Sequence, residues 1–535
     1  MRGNRSSILR RACLGVAVVS GLLAGSTPAA HAGLLGGVVG TTVGVVDGTV
    51  DTTVGLVNGL VGVVDAGWDE GVTTAPVPMS DVVAAVRARD LWAQGVDGRG
   101  VDIAIVDTGV APVAGLTVTG KVVDGPDVSF ESQFDEARHL DTYGHGTHLA
   151  GIAAGRDASG GPFAGVAPGS RVVSLKAGTH DGAVDVSQVI AAIDWVVQHR
   201  RANGLNIRVL NLSYGTDGVQ PYDRDPLAKA VESAWHNGIV VVVAAGNEGA
   251  TRTALVNPAT NPYVIAVGAA DLRGTVAASD DVVAPFSSRG TSARGVDLVA
   301  PGVSLLSLRV PGSSIDERYP GSVVEERYLR GSGTSQAAAV VSGAAALLLQ
   351  ARPTLTPDAV KALLKSSATP LPSADTRAQG AGRLDVLAAS RALVPLLHKQ
   401  SWTRSTGTGS LEAARGSSHV ALDDVELRGE QDIMGQPWSG AAWAPKSAAG
   451  TAWTDGSWNG AEWTGSCFCT TSWSGASWTG RTWTGRTWTG SAWTGSAWTG
   501  RTWTGRTWTG GSWTGRTWTG SSWTGRTWTS GPAVA

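Results

Sequence analysis

Val101-Asp102-Ile103-Ala104-Ile105-Val106-Asp107-Thr108-Gly109 is the stretch from which the fold of this chain can be read. A short run of mostly apolar and β-branched residues, bounded by Gly on both sides, predicts a buried strand over 101–106. Asp107 then stands at the carboxyl end of that strand, which is where active groups gather in open α/β sheets. Outward from it, apolar runs at 172–175, 209–212 and 239–243 alternate with helix-like stretches at 186–197, 227–235 and from Ser335 to about Gln350. The alternation predicts an α/β domain with a mostly parallel sheet and helices on both faces.

Three more motifs follow in chain order: His145-Gly146-Thr147-His148, Ala245-Gly246-Asn247 and Gly333-Thr334-Ser335. A hydroxyl becomes a useful nucleophile near neutral pH only when an imidazole takes its proton and a carboxylate holds that imidazole in the right tautomer. One residue is available for each role: Ser335, His145 and Asp107. Asn247, just past the 239–243 run, can offer a side-chain amide to a developing oxyanion, and Ser335 at a helix start can offer a backbone N–H. Taken singly, each motif is ordinary. The Asp is a strand-end turn, the two histidines near His139 and Asp141 hint at a metal, and Gly-Thr-Ser is a common helix start. Zincin spacing is absent, so no metal site is expected. Their joint order is what points to catalysis.

With these motifs the chain resembles the subtilisin-like serine peptidases, the subtilase family. The likeness runs from about Val86 to Ala389. It includes Asp90-Leu91-Trp92, Gly165-Val166-Ala167-Pro168, Ser213-Tyr214-Gly215, Phe286-Ser287-Ser288-Arg289-Gly290 and Gly380-Ala381-Gly382-Arg383-Leu384. It implies a subtilisin-like fold, Asp107, His145 and Ser335 as the catalytic residues, and Asn247 as the oxyanion partner. It also implies Ser213, Tyr214 and Gly215, with Ala244, Ala245 and Gly246, as walls of the main specificity pocket, which Tyr214 would narrow. The implied activity is that of a secreted serine endopeptidase acting on protein or peptide substrates through an acyl-enzyme, with no cofactor required. Calcium is common in the relatives, but no carboxylate cluster identifies a site for it here. Gln336 and Ala339 stand where the family usually has Met and Pro. A charged, insertion-like stretch at 309–330 is expected to cover the leaving-group side of the cleft, and the family's folded pro-domain is not recognisable between Gly33 and Pro78.

The flanks have their own character. Arg2, Arg5, Arg10 and Arg11, an apolar stretch at 13–24 and Ala30-His31-Ala32 predict a secretory signal over 1–32, cut after Ala32. An extracellular location follows, with cell-wall association as a further expectation, and no later transmembrane segment is expected. Of three cysteines, Cys13 would leave with the signal, so only Cys467 and Cys469 remain and the core cannot rest on disulfides. A net charge of -2 gives no whole-chain attraction for nucleic acid. The expected organisation is a Gly/Val-rich low-complexity or pro-segment at 33–80, the peptidase domain at 81–391, a linker at 392–437 and a repeat region at 438–535.

In that last region Trp falls at every fifth position through Trp528, with Ala448 and Phe468 as the exceptions, and the typical unit is Arg-Thr-Trp-Thr-Gly. An odd period sends successive Trp residues to opposite faces of a strand. The expectation is therefore a coil that turns at each Gly, solenoid-like, stacking its Trp residues in ladders. Such an array, cationic after Glu462, suits a rigid stalk or a surface that binds cell-wall polysaccharide by ring stacking. In a rival reading of the chain the protease-like domain is inert and the array carries the function.

Overall fold

The run that opens the sequence argument is a strand, β1 (Asp102–Asp107), buried at every residue. The computed structural model describes residues 45–46, 49–50, 68, 75–250, 254–372, 374–422, 425–463, 482–489 and 502–509. The expected signal at 1–32, nearly all of 33–74 and the Cys467/Cys469 pair lie outside them. In the first 55 residues only two antiparallel two-residue strands, Val45–Val46 and Thr49–Val50, are described.

The main sheet adds β2 (Val122–Asp127), β3 (Arg171–Lys176), β4 (Ile207–Leu212), β5 (Val240–Ala244), β6 (Ile265–Asp271) and β7 (Leu298–Pro301). Their order is β7-β6-β5-β4-β1-β3-β2, with every adjacent pair parallel and only the two-residue strand Val282–Val283 antiparallel to β6. Helices cover both faces of a parallel sheet, so its central strands read as unbroken apolar runs. Val240–Ala244, four Val and an Ala all buried, is the extreme case. Each such Val contributes on the order of 1.5–3 kcal/mol through burial.

Four helices position the site and its flank: α1 (His145–Ala154), α2 (Val186–His199), α3 (Pro226–His236) and α4 (Thr334–Ala351). Helix α2 starts where Asp185 accepts from Ser187 N and the Gln188 side chain accepts from Asp185 N, a capping box that satisfies two orphan donors. Pro226 opens α3 at a position where its missing N–H costs nothing, with Asp225 as cap. Helix α4 is long and apolar enough to cross a membrane, contrary to the expectation that no later segment would be. It is nevertheless the core helix of the domain, with 89% of its apolar window buried. Small residues let it approach closely: a Cβ on Gly343 would lie 2.6 Å from Val166 Cβ and 2.8 Å from Ala153 O.

A second, antiparallel sheet of order β8-β10-β9 follows β7, from β8 (Leu305–Leu308), β9 (Val323–Val324) and β10 (Tyr328–Gly331). It frames the insertion-like stretch at 309–330.

The largest departure from expectation lies in the C-terminal flank. Residues 392–437 are not a free linker, since Leu411, Ala414, Val420, Leu427 and Ile433 join the main core. Arg415, fully buried, donates to Asp185 Oδ2 at 2.6 Å and to the carbonyls of Gly429 and Gln431. The first repeat units also fold back: Trp438, Trp443, Trp453, Trp458 and Trp463 are all buried, and they pack on one another and on the core that contains α2. Their ring faces are thereby covered. After α5 (Gly440–Ala449) the chain makes three two-residue antiparallel strands joined at Asp455-Gly456 and Asn459-Gly460. All four of these joining residues have positive φ, as two-residue hairpin turns of type I′ require. Later units lack Asp-Gly or Asn-Gly. There the described backbone runs straight through Gly485 and Gly505 instead of turning, in two parallel strands (Thr482–Thr489 and Thr502–Thr509) that set Trp483 opposite Trp503. The rest of the array lies outside the described residues.

Asp194 of α2 is the hub of this docking. Trp443 Nε1 and Trp458 Nε1 donate to its Oδ2 at 2.7 and 2.9 Å, and Ser447 Oγ donates to its Oδ1 at 2.5 Å. Burial outweighs the three donors and raises its carboxyl to about 6. An unfolded Asp titrates near 3.9, so the folded chain holds this proton more tightly. The associated stability is whole below about pH 4 and is lost as pH rises through 6. Asp194→Ala strands three donors and is expected to cost several kcal/mol, at about 1–3 kcal/mol for each unsatisfied group. Asp194→Asn can accept from both indoles and donate to Ser447. Its melting temperature relative to wild type is expected to rise between pH 4 and pH 7, and calorimetry across that range checks it.

Candidate active site

Asp107 closes β1 and His145 opens α1, and the two side chains meet: His145 Nδ1 lies 2.7 Å from Asp107 Oδ1, with both buried. A short imidazole–carboxylate contact of this kind selects the tautomer that leaves Nε2 as the proton acceptor. Thr108 N donates to the same oxygen, Asp107 Oδ1, at 2.9 Å, and Thr108 Oγ1 stands 3.2 Å from it.

Asp141, four residues before His145, fastens the start of the histidine's helix. It accepts from Gly144 N at 2.6 Å, Thr147 N at 2.7 Å and Thr108 Oγ1 at 2.8 Å. These contacts tie the first turn of α1 to the end of β1, which makes Asp141 and Thr108 positioning residues that the sequence reading did not assign. An acid just ahead of a helical motif is a recognised N-terminal signal and could have revealed Asp141. Gly146 is required by the same closeness, because a Cβ there would fall 2.2 Å from Gly109 O. The histidines are both engaged: His145 faces Asp107, while His148 Nε2 donates to Leu329 O at 3.1 Å. Burial, then the neighbouring His145, push His148 down to about 3, so it stays neutral.

Ser335 is the second residue of α4 and is fully buried in the intact chain. The turn that carries it is locked to the end of β5. Asn247 Oδ1 accepts from Thr334 N and Thr334 Oγ1, each at 3.0 Å, and Gly246 N donates to Thr334 Oγ1 at 3.2 Å. With its oxygen so held, Asn247 turns its Nδ2 away from Thr334, and that buried N–H₂ has no acceptor among the described residues. A buried donor without a partner costs about 1–3 kcal/mol, so its presence calls for a functional explanation.

The predicted pocket walls come from the ends of β4 and β5. Ser213 Oγ donates to Ser335 O at 3.4 Å and accepts from Asn211 Nδ2 at 3.2 Å. Ala244, Ala245 and Gly246 are buried, Gly215 is half-buried, and Gly246 has φ of 110°. Tyr214 is 3% exposed and belongs to the main core cluster. Burial, followed by the charge of Asp185, raises its hydroxyl well above the usual range.

The pattern of the Subtilase family (Peptidase_S8) matches residues 98–382. The chain is similar to the serine protease AprX of Bacillus subtilis (strain 168), 38% identical over 300 residues, 55% of this chain and 66% of AprX. It is also similar to Subtilisin DY of Bacillus licheniformis, 37% identical over 311 residues, 58% of this chain and 97% of the relative. Fervidolysin from Fervidobacterium pennivorans, a keratinolytic enzyme related to subtilisin, superposes with a TM-score of 0.47 at 28% identity, covering 59% of this chain and 46% of that one.

Proposed function

The chain belongs to the subtilase family of serine-type endopeptidases, and we propose that it hydrolyses peptide bonds through an acyl-enzyme on Ser335, with His145 as general base and acid, Asp107 as its orienting carboxylate and Asn247 in the oxyanion hole. His145 Nε2 takes the Ser335 proton as Oγ attacks the carbonyl carbon, then gives it to the leaving amine. Water attacks the resulting ester by the same route. Asn247 Nδ2 and the Ser335 N–H stabilise the oxyanion in both steps. The observation that carries this reading is the Asp107–His145 contact at 2.7 Å. The Nδ2 of Asn247, unpartnered among the described residues, supports it, being a donor held ready for charge that appears only during reaction.

Substrates are proteins or peptides, and export is supported by the reading of 1–32 as a signal. A fluorophosphonate probe tests the assignment directly. The expected result is a single adduct mapped to Ser335 and lost in His145→Ala. An unlabelled wild-type chain of intact fold would leave the domain inert.

A further inference from the structure

Trp68 comes from the flank read as low-complexity, yet it is 2% exposed. It sits in an apolar cluster separate from the main core, with Tyr143, Ile315 and Leu329, and with Tyr319 and Val323 partly buried around it. Its ring is edge-on to His148 at 4.9 Å and to His145 at 6.3 Å between centroids. Gly331 forms a floor: a Cβ there would lie 2.8 Å from Trp68 Cζ3, 2.9 Å from Gln336 Nε2 and 3.1 Å from His148 Cε1. Gln336 is the residue directly after Ser335.

The residues packed around Trp68, which would line a cavity if it left, have a specific origin. Ile315, Tyr319, Val323 and Leu329 all belong to the 309–330 stretch, which is tied to the residues before His145 by Ser314 N to Thr142 O and Ile315 N to Tyr143 O, each 3.0 Å. Helix α1 packs on β8, where Ser307 Oγ donates to His148 O at 2.7 Å. The Trp68 cavity therefore lies on the flank made by α1 and the β8-β10-β9 sheet. The predicted specificity walls at 213–215 and 244–246 belong to the other flank, at the ends of β4 and β5. A peptide crossing His145 and Ser335 with its acyl side on β4 and β5 sends its leaving-group side toward Trp68.

We propose that this cavity is a leaving-group-side subsite that takes a bulky aromatic residue of the peptide substrate, with Trp68 as its occupant in the uncut chain. The proposal rests on the peptidase reading above and adds a substrate class to it. Its lining is mostly apolar and aromatic, with a neutral His148 edge and the uncharged Gln336 amide at the floor, which suits an indole or phenyl ring and not a charge. While Trp68 is seated, an aromatic substrate residue cannot enter.

The test uses the full chain with Trp68→Ala and internally quenched peptides that differ only in the first two residues after the scissile bond: Ala, Leu, Phe or Trp. The expected kcat/KM for Phe or Trp exceeds that for Ala by about tenfold or more, within the range a hydrophobic pocket supplies. Adding Leu329→Trp, which refills the cavity, is expected to bring the ratio near one. Equal turnover of Ala and aromatic peptides by a Trp68→Ala chain that still labels at Ser335 overturns the subsite and leaves the peptidase standing. A ratio unmoved by Leu329→Trp does the same. Loss of both labelling and turnover in every variant, wild type included, overturns both readings. Should Trp68→Ala not fold, Trp68→Val opens most of the cavity and gives the same comparison.

Discussion

Alanine at Ser335 or at His145 is expected to lower kcat on any peptide by about 10⁶-fold, a magnitude carried over from a subtilisin and not obtained from this chain's geometry. What the geometry adds is the expected pattern. His145 is held by Asp107 at 2.7 Å, and Asp107 by the backbone N–H of Thr108, so the nucleophile's activation depends on one connected unit. Groups that act as a unit lose their effect together. The double variant Ser335→Ala/His145→Ala should therefore be no slower than either single variant, and single-turnover assays on a fluorogenic peptide check this. A double variant slower by the product of the two single losses would mean that the residues act independently and that the proposed relay is wrong.

Asn247 carries the second large effect. Its Oδ1 is fixed by two donors from Thr334, so its Nδ2 has one available direction. Asn247→Leu removes the donor, and Asn247→Asp keeps the Thr334 contacts but presents a lone pair where an N–H is needed. Both should cut kcat by about 10²–10³ with KM little changed, since the contact forms only with the oxyanion; that range too is taken over from subtilisin. Asp should be the slower of the two, because it repels the developing charge. A rise in KM at constant kcat would instead place Asn247 in ordinary substrate binding. Thr334→Val, which removes one of the two anchors, is expected to fall between wild type and Asn247→Leu in the same assay.

Much of the peptidase domain was legible because its signals are local. The strand at β1 was placed within one residue, and β3, β4 and β5 within two, because a strand buried on both faces has to be continuously apolar. Helices α2 and α3 were legible from their spacing, and α4 from its run of small apolar residues. Asp107, His145, Asn247 and Ser335 could be named because each lies at an element's end within a short motif. The positioning roles of Asp141, Thr108 and Thr334 have no local signature, because each acts through contacts with residues 33 to 87 positions away or with a neighbouring turn, as in Thr108 to Asp141 and Thr334 to Asn247. The pair Asp185–Arg415, separated by 230 residues, had no local sign at all.

The flanks show where that boundary falls. Period-five spacing of Trp was plain, but the expectation of a turn at each Gly was too broad: the described turns fall at Asp455-Gly456 and Asn459-Gly460, where short-range φ preferences are written into two adjacent residues, and not at Gly485 or Gly505. That the first Trp residues would close over Asp194, or that Trp68 would lie against His148, was not readable. A tryptophan's burial depends on which cavity the rest of the chain leaves open for it. Composition and periodicity settle which segments become strands, helices and turns, because those depend on nearest neighbours. Which distant side chains fill a hole, satisfy a buried carboxylate or hold an amide toward an oxyanion is settled only when packing brings them together, because burial and desolvation are properties of the assembled core.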